Sequence, residues 1–130
     1  MPTHAGAPAD ALAATLRRTE IQRETSSVPG REIVQVRTEI PAGVASGWHT
    51  HPGEEVGYIV EGHVRMEIRD RPTLDLHAGD GFCIPPGTPH NAFDLGPRTG
   101  VMLSTYLVEV GRPLSAAAAP PRADPARGTG

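Results

Sequence analysis

Residues 43–62 read GVASGWHTHPGEEVGYIVEG, and residues 79–90 read GDGFCIPPGTPH. Reduced to spacing, they are Gly43-x5-His49-x-His51-x3-Glu55-x6-Gly62 and Gly79-x5-Pro85-x-Gly87-x2-His90. In an extended strand, residues i and i+2 point to the same side. His49 and His51 therefore aim two imidazoles at one point while Thr50 faces away. Pro52-Gly53 turns the chain. The strand that follows returns Glu55 toward that point and sends Glu54 to the opposite face. His90 comes from a later strand, after the corner made by Pro85, Pro86 and Gly87. Three imidazoles and one carboxylate suit one divalent transition metal, Fe, Mn, Ni, Zn or Cu. A site spread over several strands is rigid, as a catalytic metal site must be.

The flanking sequence is strand-like. Ile33–Ile40 alternates, with Val34, Val36, Thr38 and Ile40 on one face. Val56–Glu61 is a strand, and Val64–Ile68 alternates with its charges outward. Leu74–Leu76 is a short strand, and Val101–Val110 is the last one expected. Gly43 and Gly62 mark turns. Many short strands punctuated by Gly and Pro predict an all-β antiparallel sandwich or barrel. His63 and His77 lie outside the metal pattern and are expected to face solvent. Cys83, within Phe82-Cys83-Ile84, is expected in the core, with the pocket wall as the alternative.

The ends differ in character. Residues 1–19 are an Ala-, Pro- and Thr-rich arm in which Asp10 can cap a short helix carrying Leu12 and Leu16. The barrel is expected over 20–112. Residues 113–130 are expected to be a disordered tail, with Arg112-Pro113-Leu114 docked at most and one helical turn available to Ala116–Ala119.

At 130 residues the chain is one domain. Its net charge of −3 gives no basic stripe, so neither nucleic acid nor an anionic membrane surface is an expected partner. All 12 basic residues are Arg, a usage that matches base-composition bias in the gene. One cysteine excludes an intrachain disulfide and a cysteine-rich zinc site. No stretch approaches the ~20 apolar residues of a membrane helix. No secretory pattern opens the chain, so the cytoplasm is the expected compartment.

HTHPGEEVGYIVEG and GDGFCIPPGTPHN resemble the two signature motifs of the cupin superfamily. The likeness is strongest over residues 43–90 and extends weakly over about 20–110. It implies a double-stranded β-helix, or jelly-roll barrel, with the metal inside. It assigns the ligand roles to His49, His51, Glu55 and His90. The fuller second motif carries Asn where this chain has Asp94; the nearby Asn is Asn91. The resemblance also implies a homodimer. Ile21–Glu24 and Ile33–Ile40 are the segments expected to pair across the two-fold axis.

Parity nominates the pocket. Asp94, on the His90 side, is a candidate for acid–base work or, alternatively, a turn residue before Leu95-Gly96-Pro97. Tyr106, with Met102 on its face, offers a phenol if that face points inward. Gly57 is expected to open space beside the metal, between apolar walls of Ile59, Met66 and Met102. Trp48 is out of phase and is expected to face away. No phosphate loop, Ser-His-Asp set or nucleophilic cysteine pattern competes. The expected activity is metal-dependent chemistry on a small organic substrate: foremost a dioxygenase-like oxidoreductase using iron. The alternatives are a non-redox isomerase, cyclase or lyase, and a small-molecule-binding module without turnover. Fold and ligands alone do not separate them.

Overall fold

Period-two alternation in the sequence becomes the inside and outside of two sheets. The computed structural model describes residues 10–121. Its first element is a 3₁₀ helix, Ala11–Ala14, capped by the Asp10 carboxylate, which accepts from the Leu12 N–H at 3.2 Å. Leu12 and Leu16 are both buried, so this segment packs on the core rather than standing off as an arm. Ten strands follow: β1 (Arg17–Thr25), β2 (Arg31–Ile40), β3 (His49–Thr50), β4 (Glu54–Glu61), β5 (His63–Ile68), β6 (Leu74–His77), β7 (Gly81–Ile84), β8 (His90–Asp94), β9 (Gly100–Glu109) and β10 (Ala116–Ala117). They form two five-stranded sheets, ordered β1-β2-β9-β4-β7 and β10-β3-β8-β5-β6. The strand pairings are antiparallel, giving the expected all-β jelly roll.

The facing sides of the sheets make the core. Val34, Val36, Thr38 and Ile40 of β2 are buried in alternation, as are Val64, Met66 and Ile68 of β5. Ile59, Ile84, Met66 and Met102 lie in one apolar cluster; Val34, Val36, Tyr106 and Val108 lie in another with Leu114. Burial of this area supplies the main stabilisation at about 25 cal/mol per Å² of apolar surface. Among the described residues, no helix is long and apolar enough to cross a membrane.

The Pro52-Gly53 turn has a steric requirement. A Cβ on Gly53 would sit 1.6 Å from the Leu107 carbonyl oxygen. Only glycine lets the chain pass β9 this closely before Glu54 pairs with Leu107.

Several expectations are corrected. Cys83 is exposed, because Phe82 and Ile84 take the inward positions of β7 and strict alternation turns the thiol out. The C-terminal tail does not begin at 113. Leu114 and Ser115 are buried, and Ala116–Ala117 pairs with β3 as a strand rather than a helical turn. Its backbone hydrogen bonds go to an open sheet edge, a gain that composition does not reveal. At the other end, β1 begins at Arg17, ahead of the boundary expected at 20. β1 and β2 pair with each other within the chain, and β2 also pairs with β9, so β2 has no edge left for a second copy. Trp48 is half-buried, and its carbonyl accepts from the Ala118 N–H at 2.9 Å.

Candidate metal centre

Both sheets contribute to one cluster. His49 on β3 faces His90 on β8 as a cross-strand pair. His51 follows β3 directly. Glu55 comes from the opposite sheet, where β4 sets it opposite Tyr106 of β9. The imidazole centroids lie 4.1 Å apart for His49–His90 and 4.9 Å apart for both His49–His51 and His51–His90. A ligating nitrogen from each ring lies within 4.8 Å of the others. All four side chains are buried.

Hydrogen bonds orient the rings. Nδ1 of His49 donates to the Gly47 carbonyl at 2.7 Å, Nδ1 of His51 to the Leu114 carbonyl at 2.8 Å, and Nδ1 of His90 to the Thr88 carbonyl at 2.9 Å. A carbonyl only accepts, so each Nδ1 carries a proton, which leaves Nε2 as the nitrogen each ring can present to a metal. Glu55 Oε1 lies 3.1 Å from His51 Nε2 and 3.2 Å from His90 Nε2. His51 Nε2 makes no aligned hydrogen bond despite that distance and is left orphaned. Burial, reinforced by His90 and His51, pushes His49 down to about 3, so this ring stays neutral. Lone pairs and a carboxylate oxygen thus converge with too few protons among them. A divalent cation resolves this conflict, and the donor set of three nitrogens and one oxygen fits a first-row metal.

Glu55 is held from behind. Its Oε2 accepts from Ser104 Oγ at 2.7 Å and from the Tyr106 hydroxyl at 3.2 Å. Burial opposes its ionisation, but while His51 and His90 carry an Nε2 proton their hydrogen bonds and charge outweigh burial and hold the carboxyl well below its ordinary range. Tyr106 is pushed up by burial and then by the Glu55 charge, so its hydroxyl keeps its proton and donates.

A family comparison agrees with this geometry. The cupin domain family matches residues 36–106. The chain belongs to the cupin family. A curated relative, the uncharacterized protein YdbB of Bacillus subtilis (strain 168), is 39% identical over 44 residues, covering 33% of this chain and 39% of YdbB. The match therefore spans well under half of that relative. Among solved structures, an uncharacterized conserved protein with a double-stranded β-helix domain from Klebsiella pneumoniae subsp. pneumoniae MGH 78578 is similar at TM-score 0.67 and 20% identity, over 81% of this chain and 85% of that one. A recombinant oxalate oxidase in complex with glycolate is similar at TM-score 0.63 and 21% identity, over 79% of this chain and 55% of that one. At these identities the likeness is one of fold.

Beside the cluster, this cupin holds a cavity with about 250 Å³ of space, partly open to solvent, whose lining includes His49, Glu55, His90, Met66, Met102 and Tyr106. Met66, Met102 and Tyr106 all line it. Ile59 is not on the wall but in the core. Gly57 opens no space: the Phe82 ring fills it, and a Cβ on Gly57 would lie 2.0 Å from that ring. Asp94 does not reach the cavity. Its carboxylate accepts from the N–H groups of Gly96 and Gly100, both at 2.8 Å, so it fixes the turn into β9. Asn91 ties the loop before His49, accepting from the Gly47 N–H at 3.0 Å and donating to Glu67 at 2.9 Å.

Sequence reasoning missed Arg18, Thr38, Ser46 and Ser104. Ser104 shares strand parity with Tyr106, a signal that was available. Arg18 offered none, since an arginine on an edge strand looks like surface. Outside the centre, His63 pairs with Asp75 and stacks on His77 at 4.1 Å, on the outward face of β5 and β6.

Proposed function

We propose that this cupin is a metal-dependent enzyme acting on a small organic molecule, with His49, His51, Glu55 and His90 as the metal ligands and an oxidoreductase, dioxygenase-like reaction. The observation that carries the reading is the clustering of three buried imidazoles, two of which set Nε2 within 3.2 Å of Glu55 Oε1, with His51 Nε2 unpaired. Iron is the favoured metal. Bound there, a redox-active ion supplies Lewis acidity and electron exchange with oxygen.

The chain's own residues prepare that chemistry. The three backbone carbonyls lock the imidazole tautomers. Ser104 and Tyr106 hold the Glu55 carboxylate in place from behind, and both hydroxyls are occupied by that bond. Among the described residues that line the cavity, no carboxyl or imidazole outside the candidate ligand set is left to move a substrate proton, which favours a reaction performed at the metal over proton-shuttling isomerisation. Met66, Met102 and Ala92 exclude water from the cavity wall. The space beside the cluster, about 250 Å³ including volume open to solvent, supports a small substrate.

The test compares Fe(II) and Zn(II) forms against a panel of phenols, enols and keto acids, under air and under nitrogen. Turnover by the iron form in air alone is expected. Equal rates under nitrogen with zinc would replace this reading by a non-redox lyase or isomerase. Saturable binding without product would replace it by a binding module.

A further inference from the structure

We propose that Arg18 makes the cavity a carboxylate site, so that the substrate is a small organic acid bound as its anion. This deepens the proposed function and rests on the same cavity.

The argument starts from a donor count. Arginine carries five N–H groups. The Arg18 side chain is only 4% exposed. Its Nε donates to Asp10 at 2.7 Å, and its Nη1 donates to Thr38 Oγ1 at 2.8 Å and to the Tyr106 hydroxyl at 3.0 Å. Nη2 is buried with no partner among the described residues. Two N–H groups on a fixed cation are therefore unspent, which is costly in a dry site. Asp10, Thr38 and Tyr106 hold the guanidinium plane, and Arg18 lines the same cavity as His49, His90 and Glu55. The remaining wall there is Leu12, Leu16, Met66, Ala92 and Met102, none of which accepts a hydrogen bond well, and Ser46, whose hydroxyl is engaged by the Gly47 carbonyl and the Ala92 N–H. The acceptor that Nη2 lacks must come from a ligand.

Charge selects which ligand. Imidazoles that bind a metal ion do so as neutral rings, while Glu55 and Asp10 are negative and Arg18 is positive. A divalent ion on the histidine cluster leaves the site with one net positive charge. One carboxylate cancels it and meets the arginine in the geometry that guanidinium prefers. The same volume that limits substrate size admits only a short acid, with its carboxylate on Arg18 and its remainder toward the histidines.

The experiment titrates matched pairs of short carboxylic acids and their primary amides into the zinc-loaded protein by calorimetry, with metal content measured on the same sample. Zinc keeps oxygen chemistry out of the readout. Acids are expected to bind about 10- to 100-fold tighter than their amides, the range of charge-assisted hydrogen bonds. Arg18→Met should erase that preference while metal content stays at the wild-type level. Arg18→Lys, which keeps the charge and loses the fork, should retain part of it. Equal binding of acid and amide to the wild-type protein overturns the proposal without any variant, as does a preference that survives in a folded Arg18→Met protein. A wild-type sample that takes up no metal defeats the proposed function instead, and an acid preference persisting in that sample still assigns Arg18.

Discussion

His51 is oriented by Leu114, a residue 63 positions later in the chain, through a 2.8 Å hydrogen bond from Nδ1 to the backbone carbonyl. The C-terminal segment thus reaches the metal centre without contributing a ligand. It is kept there by burial of Leu114 and Ser115, by the Ser115–Asp10 hydrogen bond and by pairing of β10 with β3.

A chain truncated after Pro113 should therefore bind divalent metal about 10- to 100-fold more weakly, the usual effect of losing an outer partner of a ligating histidine. A chain ending at Pro121 keeps these contacts and should bind as the full chain does. Competition against a chelating dye reads both. Equal affinity of the two truncations would contradict the role given to Leu114.

The ligand assignment predicts metal content directly. The His51→Ala, His90→Ala double variant should retain the barrel, because its core is apolar and lies on both sheets. Elemental analysis should find it essentially free of divalent metal. Wild-type occupancy in that variant would remove the assignment.

Gly53→Ala should be among the most destabilising single-methyl additions in the protein. The added carbon meets the Leu107 carbonyl, which is backbone and cannot rotate away. A loss near the top of the usual 1–3 kcal/mol for overpacking is expected in denaturant melts. A loss below about 0.5 kcal/mol, the size of an ordinary surface change, would show that the Pro52-Gly53 turn yields.

Asp10 gives a pH dependence. Burial raises its carboxyl, but the charge and hydrogen bond of Arg18, with help from Ser115 and the Leu12 N–H, outweigh burial and lower it. A group with a depressed folded-state pKa stabilises above its unfolded value and loses that contribution as pH falls. Asp10→Asn should melt lower than wild type at pH 7, and the gap should shrink below about pH 4. A gap that does not change with pH would mean the Asp10–Arg18 pair contributes nothing to stability.

Cys83 should react with a thiol reagent in the native protein, one equivalent per chain without denaturant, because β7 turns it outward. Protection until unfolding would return it to the core, where hydrophobicity alone had placed it.

Local pattern was enough for the strands and for the clustering of His49, His51, Glu55 and His90. Alternation at 34–40 and 64–68 tells inside from outside because a strand has only two faces. The i, i+2 spacing of His49 and His51 sets both rings on one side for the same reason, and the turn residues before Glu55 and His90 bring the others in. Which residues meet the centre from far away in the chain was decided by tertiary structure alone. Asp94 and Ser104 both have inward parity, yet Asp94 is spent on the Gly96 and Gly100 N–H groups while Ser104 reaches Glu55. Parity gives a side, not a partner. Arg18 and Leu114 lie in segments that composition marks as surface arm and tail, and they become interior only because β1 and β10 find sheet edges to pair with. Edge pairing depends on which strands are left unpaired once the barrel closes, and no local stretch of sequence carries that information.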